Sequence, residues 1–183
     1  MILIGGSAGA FESILSILNK LDSSVLIPII VILHRSRNSI SYLEQNLQTH
    51  THYKVKEAEN NEFVKKGYLY TAPSDYHLLL ENNGSLSLDA SEEVQYSRPS
   101  IDVSFESFSR VLKQNCLGIL LSGSNKDGAF GLKIIAQNNG QTIVQNPYET
   151  DFKRMPKAAI DFYNGHQVLK INEIITKINQ YAK

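Results

Sequence analysis

An apolar run, a glycine-rich turn and a helical period follow one another in the first eighteen residues. That order restricts the fold more than anything after it. Met1-Ile2-Leu3-Ile4 is short and wholly apolar, the mark of a strand buried on both faces. Gly5-Gly6-Ser7-Ala8-Gly9 follows without a break, and Phe11, Ile14, Leu15 and Leu18 then recur at helical spacing. The reading is strand, tight turn, helix, with Ser7 at the tip. Glycines suit tight backbone angles, and a helix start offers N–H groups that stabilise developing negative charge. The stretch matches the G-x-S-x-G nucleophile elbow. The same arrangement also serves as a phosphate-binding turn or a plain close turn, so the rest of the chain has to decide.

Further strands and helices alternate along the sequence. Ile27 to Leu33 reads as a central strand, ended by His34-Arg35-Ser36-Arg37-Asn38. A short helix is expected from near Ser39, carrying Ile40, Leu43 and Leu47. Tyr53 to Ala58 alternates as a half-exposed strand would, and Gly67 to Ala72 is a strand stopped by Pro73. His77 to Glu81 and Ser85 to Leu88 flank Asn82-Asn83-Gly84, which predicts a hairpin. Residues 92–99 read as a loop, and Ser100 to Lys113 as a helix with Ser100 at its N-cap. Cys116 to Leu121 is a buried strand, with a loop over residues 122–128 and a helix from Ala129 to Asn138 after it. Thr142 to Gln145, Lys157 to Tyr163 with Pro156 in its first turn, Gln167 to Leu169, and Ile171 to Tyr181 complete the series.

Alternation of this kind predicts an α/β protein: a doubly wound, mostly parallel sheet with helices on both faces, a Rossmann-like three-layer arrangement with an antiparallel hairpin. The 183 residues suit a single domain over 1–183. Lysine and arginine balance aspartate and glutamate, 18 against 18, so nucleic acid is not an expected partner. No apolar run approaches a membrane span, so direct membrane insertion is not expected. A lone cysteine, Cys116, forms no internal disulfide and reads as a small buried side chain. A cytoplasmic location is the expectation.

In a parallel sheet, loops after the carboxyl ends of strands gather at one edge. Ser7, His34 and residues 122–128 fall there. A serine nucleophile needs a base. Of five histidines, His34 alone directly follows a strongly apolar strand. A base needs an orienting acid, and Asp127, within a glycine- and serine-rich loop, is the first choice over Asp75, Asp102 and Asp151. The order serine, histidine, aspartate differs from the serine, acid, histidine order of the α/β-hydrolases.

At this point the sequence resembles a family. Gly5-Gly6-Ser7-Ala8-Gly9, Val31-Ile32-Leu33-His34, Val55-Lys56-Glu57-Ala58-Glu59, Tyr70-Thr71-Ala72-Pro73 with His77-Leu78, Arg98-Pro99-Ser100-Ile101-Asp102-Val103, Leu121-Ser122-Gly123 with Asp127-Gly128, Gln145-Asn146, and Met155-Pro156 with Ala158 occur in that order. They are similar to the catalytic domain of the CheB-type chemotaxis protein-glutamate methylesterases, over nearly the whole chain. The resemblance implies hydrolysis of glutamate methyl esters on the cytoplasmic helices of chemoreceptors with release of methanol, extending in the family to deamidation of particular glutamines. It implies Ser7 as nucleophile, His34 as base and Asp127 as acid, with no metal or organic cofactor. The oxyanion positions fall on Ala8 and Ser124, where the family carries a threonine or serine and a methionine; Ala10 replaces a common glycine. The missing hydroxyl at Ala8 is expected to cost about tenfold in rate, the worth of one ordinary hydrogen bond. The family's N-terminal receiver domain has no counterpart in this stretch, so the expectation is an enzyme unregulated in cis, one controlled by a separate receiver protein, or an excised piece. Arg35, Arg37 and Arg98 are candidate contacts to an acidic receptor helix.

Other readings stand beside this one: a serine hydrolase acting on another ester or amide, a non-catalytic interaction module of the same fold, and a nucleotide-binding protein. The last lacks G-x-G-x-x-G and has His34 where an acidic ribose ligand would stand.

Overall fold

The computed structural model describes residues 1–35 and 42–182. In chain order the elements are β1 (Ile2–Gly6), α1 (Ala10–Leu18), β2 (Ile29–Leu33), α2 (Leu43–Gln48), β3 (Lys54–Glu57), β4 (Tyr68–Thr71), β5 (His77–Leu80), β6 (Leu86–Asp89), α3 (Ile101–Leu112), β7 (Leu117–Leu120), α4 (Ala129–Gln137), β8 (Gln141–Gln145), α5 (Arg154–Phe162), β9 (Gln167–Leu169) and α6 (Ile171–Tyr181). Seven strands form one sheet in the order β3-β4-β2-β1-β7-β8-β9, and every pairing in it is parallel. β5 and β6 pair antiparallel in a sheet of their own, joined through the asparagine-glycine turn. The doubly wound sheet and the hairpin are thus both present.

The chain starts at the middle of the sheet, passes through β2 to the edge strand β3, comes back to lay β4 between those two, and after the hairpin crosses to the other flank of β1 with β7. The reversal falls between β1 and β7, the kind of switch point where ligands bind. β1 and β2 are buried at every position, as their unbroken apolar sequences require. β3 and β9 are edge strands and remain largely exposed. One core lies under α1, α2 and α6, built on Ile14, Leu47, Ile174 and Ile178 against Ile2, Ile4 and Val31. The other lies under α3, α4, α5 and the hairpin, built on Phe105, Phe108, Leu132 and Met155 against Leu3, Ile30 and Ile32. Each such apolar side chain contributes about 1.5–3 kcal/mol on burial, so both helix layers are anchored independently of the loops between them.

Three expectations need adjustment. β2 begins at Ile29, because Pro28 has no N–H to give; its carbonyl instead accepts from Ile2 N at 3.0 Å. α5 begins at Arg154, three residues before the expected start, with Pro156 inside the first turn where its missing N–H costs nothing. The expected start of a helix near Ser39, with Ile40, lies outside the described residues, and α2 is observed from Leu43. Among the described residues, no helix is long and apolar enough to cross a membrane.

Candidate active site

β1 ends at the turn that carries Ser7. Only Gly9 in this turn takes a left-handed backbone angle, φ 76°, just ahead of α1. Gly5 and Gly6 belong to the strand, and they are small for a different reason. A Cβ on Gly5 would meet the Ile101 side chain at 2.5 Å, and one on Gly6 would fall against the Cβ of Ala10. The glycines therefore let α3 and the first turn of α1 close onto the sheet, which corrects the conformational reading of those two residues. The β1–β2 register pairs Gly6 with Leu33, so Ser7 and His34 leave the sheet side by side. His34 N donates to Gly6 O at 3.3 Å, and Ser7 N donates to Ser122 O at 2.9 Å. The ends of β2, β1 and β7 are stitched together at this point.

His34 Nε2 lies 2.8 Å from Asp127 Oδ2. The imidazole is 14% exposed and the carboxylate 0%. Asp127 sits at the N-terminus of α3, where free amides favour an anion. Its Oδ1 accepts from Ser100 Oγ at 2.9 Å, Asp102 N at 3.0 Å and Gly128 N at 3.0 Å, while Oδ2 also accepts from Ile101 N at 2.7 Å. Burial works to raise its pKa, but the hydrogen bonds from His34 and from the Asp102 and Ile101 amides outweigh it and hold the carboxyl below its usual value. Asp127 is therefore ionised and accepts only, so the His34 proton resides on Nε2 and Nδ1 keeps its lone pair. A side chain at position 128 would strike Leu120 and Ile101, and Gly128 has φ 89°; this is why glycine follows the aspartate.

Ser7 is half-buried, and among the described residues its hydroxyl makes no hydrogen bond. Two other groups approach His34 Nδ1: Ser97 Oγ at 3.4 Å and Asn125 Nδ2 at 3.5 Å. The amides of Ala8 and Ser124 donate to no acceptor among the described residues, so both are free to bind developing negative charge. No group of three or more His, Cys, Asp or Glu among the described residues is placed to hold a metal ion.

The other histidines serve the structure. His77 Nδ1 accepts from Ser100 N at 3.1 Å and its Nε2 donates to Glu92 O at 3.0 Å. His166 is buried beside Thr142, 2.8 Å away, and burial lowers its pKa to about 4. His50 and His52 lie against the carbonyls of Asn46 and Val25, each at 2.9 Å. Two of the arginines expected to meet a partner are already committed. Arg35 reaches Glu44 at 3.0 Å and Glu57 at 3.3 Å, and Arg98 grips Asp75 at 2.6 Å while donating to Ala90 O and Ser91 O. Arg37 lies outside the described residues.

Sequence reasoning passed over Asp102 as an active-site neighbour. Its carboxylate accepts from Gly131 N at 2.7 Å and Gln95 Nε2 at 2.9 Å. Burial, and then the facing charge of Asp127, raise its pKa to about 6. The two carboxylates pull stability in opposite directions with pH. A depressed Asp127 contributes stability that is present above about pH 4, the unfolded carboxylate value, and lost as pH falls below it. A raised Asp102 favours the fold in its neutral form, so its penalty grows as pH rises from about 4 through about 6. Asp102→Asn keeps an acceptor for Gly131 and removes the charge, while its NH2 faces Gln95, whose side-chain amide has to turn its oxygen round to accept. It is expected to raise unfolding free energy at neutral pH by about 1–2 kcal/mol and to flatten the pH dependence across that window. Urea titrations at several pH values read both, and an unchanged slope would remove the assignment.

The fold and the site together define a class. It is a doubly wound α/β protein carrying a serine elbow, an imidazole and a buried carboxylate at the carboxyl edge of its sheet. Within that class, the chain belongs to the CheB methylesterase family, whose family model matches residues 2–178. It is 39% identical over 182 residues to a Leptospira interrogans protein provisionally named as a protein-glutamate methylesterase/protein-glutamine glutaminase, covering 98% of this chain and 94% of that one. It is 34% identical to protein-glutamate methylesterase/protein-glutamine glutaminase 1 of Carboxydothermus hydrogenoformans, covering 97% of this chain and 54% of that protein. The crystal structure of the Thermotoga maritima CheB methylesterase catalytic domain matches with a TM-score of 0.91 at 30% identity, over 98% of this chain and 96% of that one.

Proposed function

We propose that the protein hydrolyses glutamate γ-methyl esters on the cytoplasmic helices of chemoreceptors, and that it also deamidates glutamine side chains by the same route. One observation carries the reading in a chain of this family: His34, beside the Ser7 elbow, is held by an ionised, fully buried Asp127 at 2.8 Å. Ser7 is the nucleophile. Its hydroxyl swings to His34 Nδ1, which takes the proton as Oγ attacks the ester carbonyl; catalytic hydrogen bonds of this kind are often long before substrate binds. Asp127 fixes the tautomer and stabilises the imidazolium. The Ala8 and Ser124 amides receive the tetrahedral oxyanion, each worth about 3–4 kcal/mol of barrier. His34 then returns the proton to the departing methoxy oxygen. Water, deprotonated at the same nitrogen, frees the glutamate. No cofactor enters any step, and the reading places the protein in the cytoplasm with its substrate.

The receptor segment is proposed to lie along α5 rather than against Arg35 and Arg98. A groove of about 590 Å3 opens beside Gly123 and Ser124 and runs past Phe152. Its lining holds Lys153, Arg154 and Lys157 together with two carboxylates, and among the described residues none of the three cations makes an ion pair. Replacing all three by glutamate is expected to raise KM for methylated receptor about tenfold at low salt, with a smaller effect on kcat. A KM that stays put would move the docking face elsewhere. The reading as a whole is tested by methanol release from methylated chemoreceptor. Release is the expected result, and its absence with folded protein and competent substrate overturns the esterase.

A further inference from the structure

His34 Nδ1 has two donors beside it that the mechanism above leaves idle. Asn125 Nδ2 stands 3.5 Å away and Ser97 Oγ 3.4 Å away. Both distances exceed those of a settled hydrogen bond, so neither group is spent on the ring. Nor are they loosely placed. Asn125 Oδ1 accepts from Asp127 N at 3.1 Å, which turns the NH2 end of the amide towards His34. Ser97 is held by a reciprocal backbone pair with Val94, at 3.0 and 3.2 Å. The two residues reach the imidazole from different elements, one from the loop before α3 and one from the loop after β7.

The position next to Nδ1 has a defined chemical occupant. A base that takes the Ser7 proton must hand it to the leaving atom, so the leaving atom sits within reach of that nitrogen. Deacylation is the reverse geometry, and the attacking water occupies the same place. We propose that Asn125 and Ser97 form the leaving-group subsite: the Asn125 amide donates to the methoxy oxygen as it departs and later to the oxygen of the hydrolytic water, with the Ser97 hydroxyl alongside. The proposal rests on the esterase reading and deepens it. In acylation the Ser7 Oγ–carbonyl bond forms, the carbonyl–methoxy bond breaks, and the proton passes from Oγ through Nδ1 to methanol. Asn125 itself transfers nothing.

This subsite discriminates between leaving groups. A methoxy oxygen has lone pairs and no proton, and so it meets the Asn125 donor well. A glutamine NH2 presents protons, meets that donor badly, and is served only by Ser97 acting as acceptor. Asn125 should therefore favour ester cleavage over deamidation.

Asn125→Asp separates this role from a structural one, because it preserves shape and the acceptor for Asp127 N while replacing the donor with an acceptor. Purified full-length protein would be assayed on one receptor peptide carrying either a glutamate γ-methyl ester or a glutamine at the same position. With Asn125→Ala, kcat on the ester is expected to fall roughly ten- to a hundredfold while KM holds. With Asn125→Asp, the ester-to-amide ratio of kcat is expected to fall by at least about tenfold relative to wild type. If Asn125 only shapes the loop, Asn125→Asp keeps the wild-type ratio while Asn125→Ala loses activity on both substrates equally; that pattern overturns the proposal and leaves the esterase standing. Wild-type protein inactive on both peptides overturns the esterase reading, and this proposal with it.

Discussion

Ser7→Ala is expected to lower methanol release from methylated receptor about a million-fold, the scale on which removing a serine nucleophile acts in enzymes of this mechanism. No other hydroxyl stands at the elbow itself. Ser122 is buried with its backbone carbonyl bound to Ser7 N, and Ser97, although 3.4 Å from His34 Nδ1, is carried by the loop before α3 and not by the turn at the start of α1. The same change should leave stability within about 0.5 kcal/mol of wild type, since the Ser7 hydroxyl makes no hydrogen bond among the described residues. Activity is read by methanol release and stability by urea unfolding on the same preparation. Variant activity within a hundredfold of wild type would mean that the nucleophile is elsewhere.

Asp127→Asn should fail on both counts. The carboxylate receives donors at both oxygens: Ser100, Asp102 and Gly128 at one, His34 and Ile101 at the other. An asparagine offers one oxygen and one NH2, so either orientation sets its donors against donors. With the NH2 towards His34, Nε2 becomes the acceptor, the ring proton moves to Nδ1, and the base nitrogen is blocked. A wrong tautomer of this sort costs about ten-thousandfold in kcat. The unpaired amides at the start of α3 should cost about 3 kcal/mol of stability. Measured kcat within tenfold of wild type, or an unfolding midpoint that does not shift, would show that the acid is not what holds the imidazole.

Much of this was legible in the amino-acid order because it rests on local patterns. β2 shows as a run of isoleucine and valine, the elbow as a serine among glycines, and α6 as an apolar stripe whose ends match the observed Ile171 and Tyr181. His34 stands out by following β2 directly. What could not be read is what depends on distant partners. Arg35 and Arg98 look like free surface cations until Glu44, Glu57 and Asp75 are brought to them by folding. Asp127 could be named as an acid, yet nothing near it in the chain tells that Ser100, Ile101 and Asp102, some twenty-five residues earlier, wrap its carboxylate. Gly5 and Gly6 read as backbone freedom because a sequence shows the lack of a side chain without showing the neighbour that needs the space.

The placement of Asp127 at the start of α3 bears on how a protein like this can lose its activity through descent. A lineage released from selection for hydrolysis can discard Ser7 at almost no structural cost, whereas losing the aspartate unfastens α3 from the loop after β7. Descendants that survive as folded proteins should then keep the acid long after the serine has gone. Among relatives of this chain, an intact aspartate would testify only to folding, and the residue at the elbow would be the one to consult about turnover.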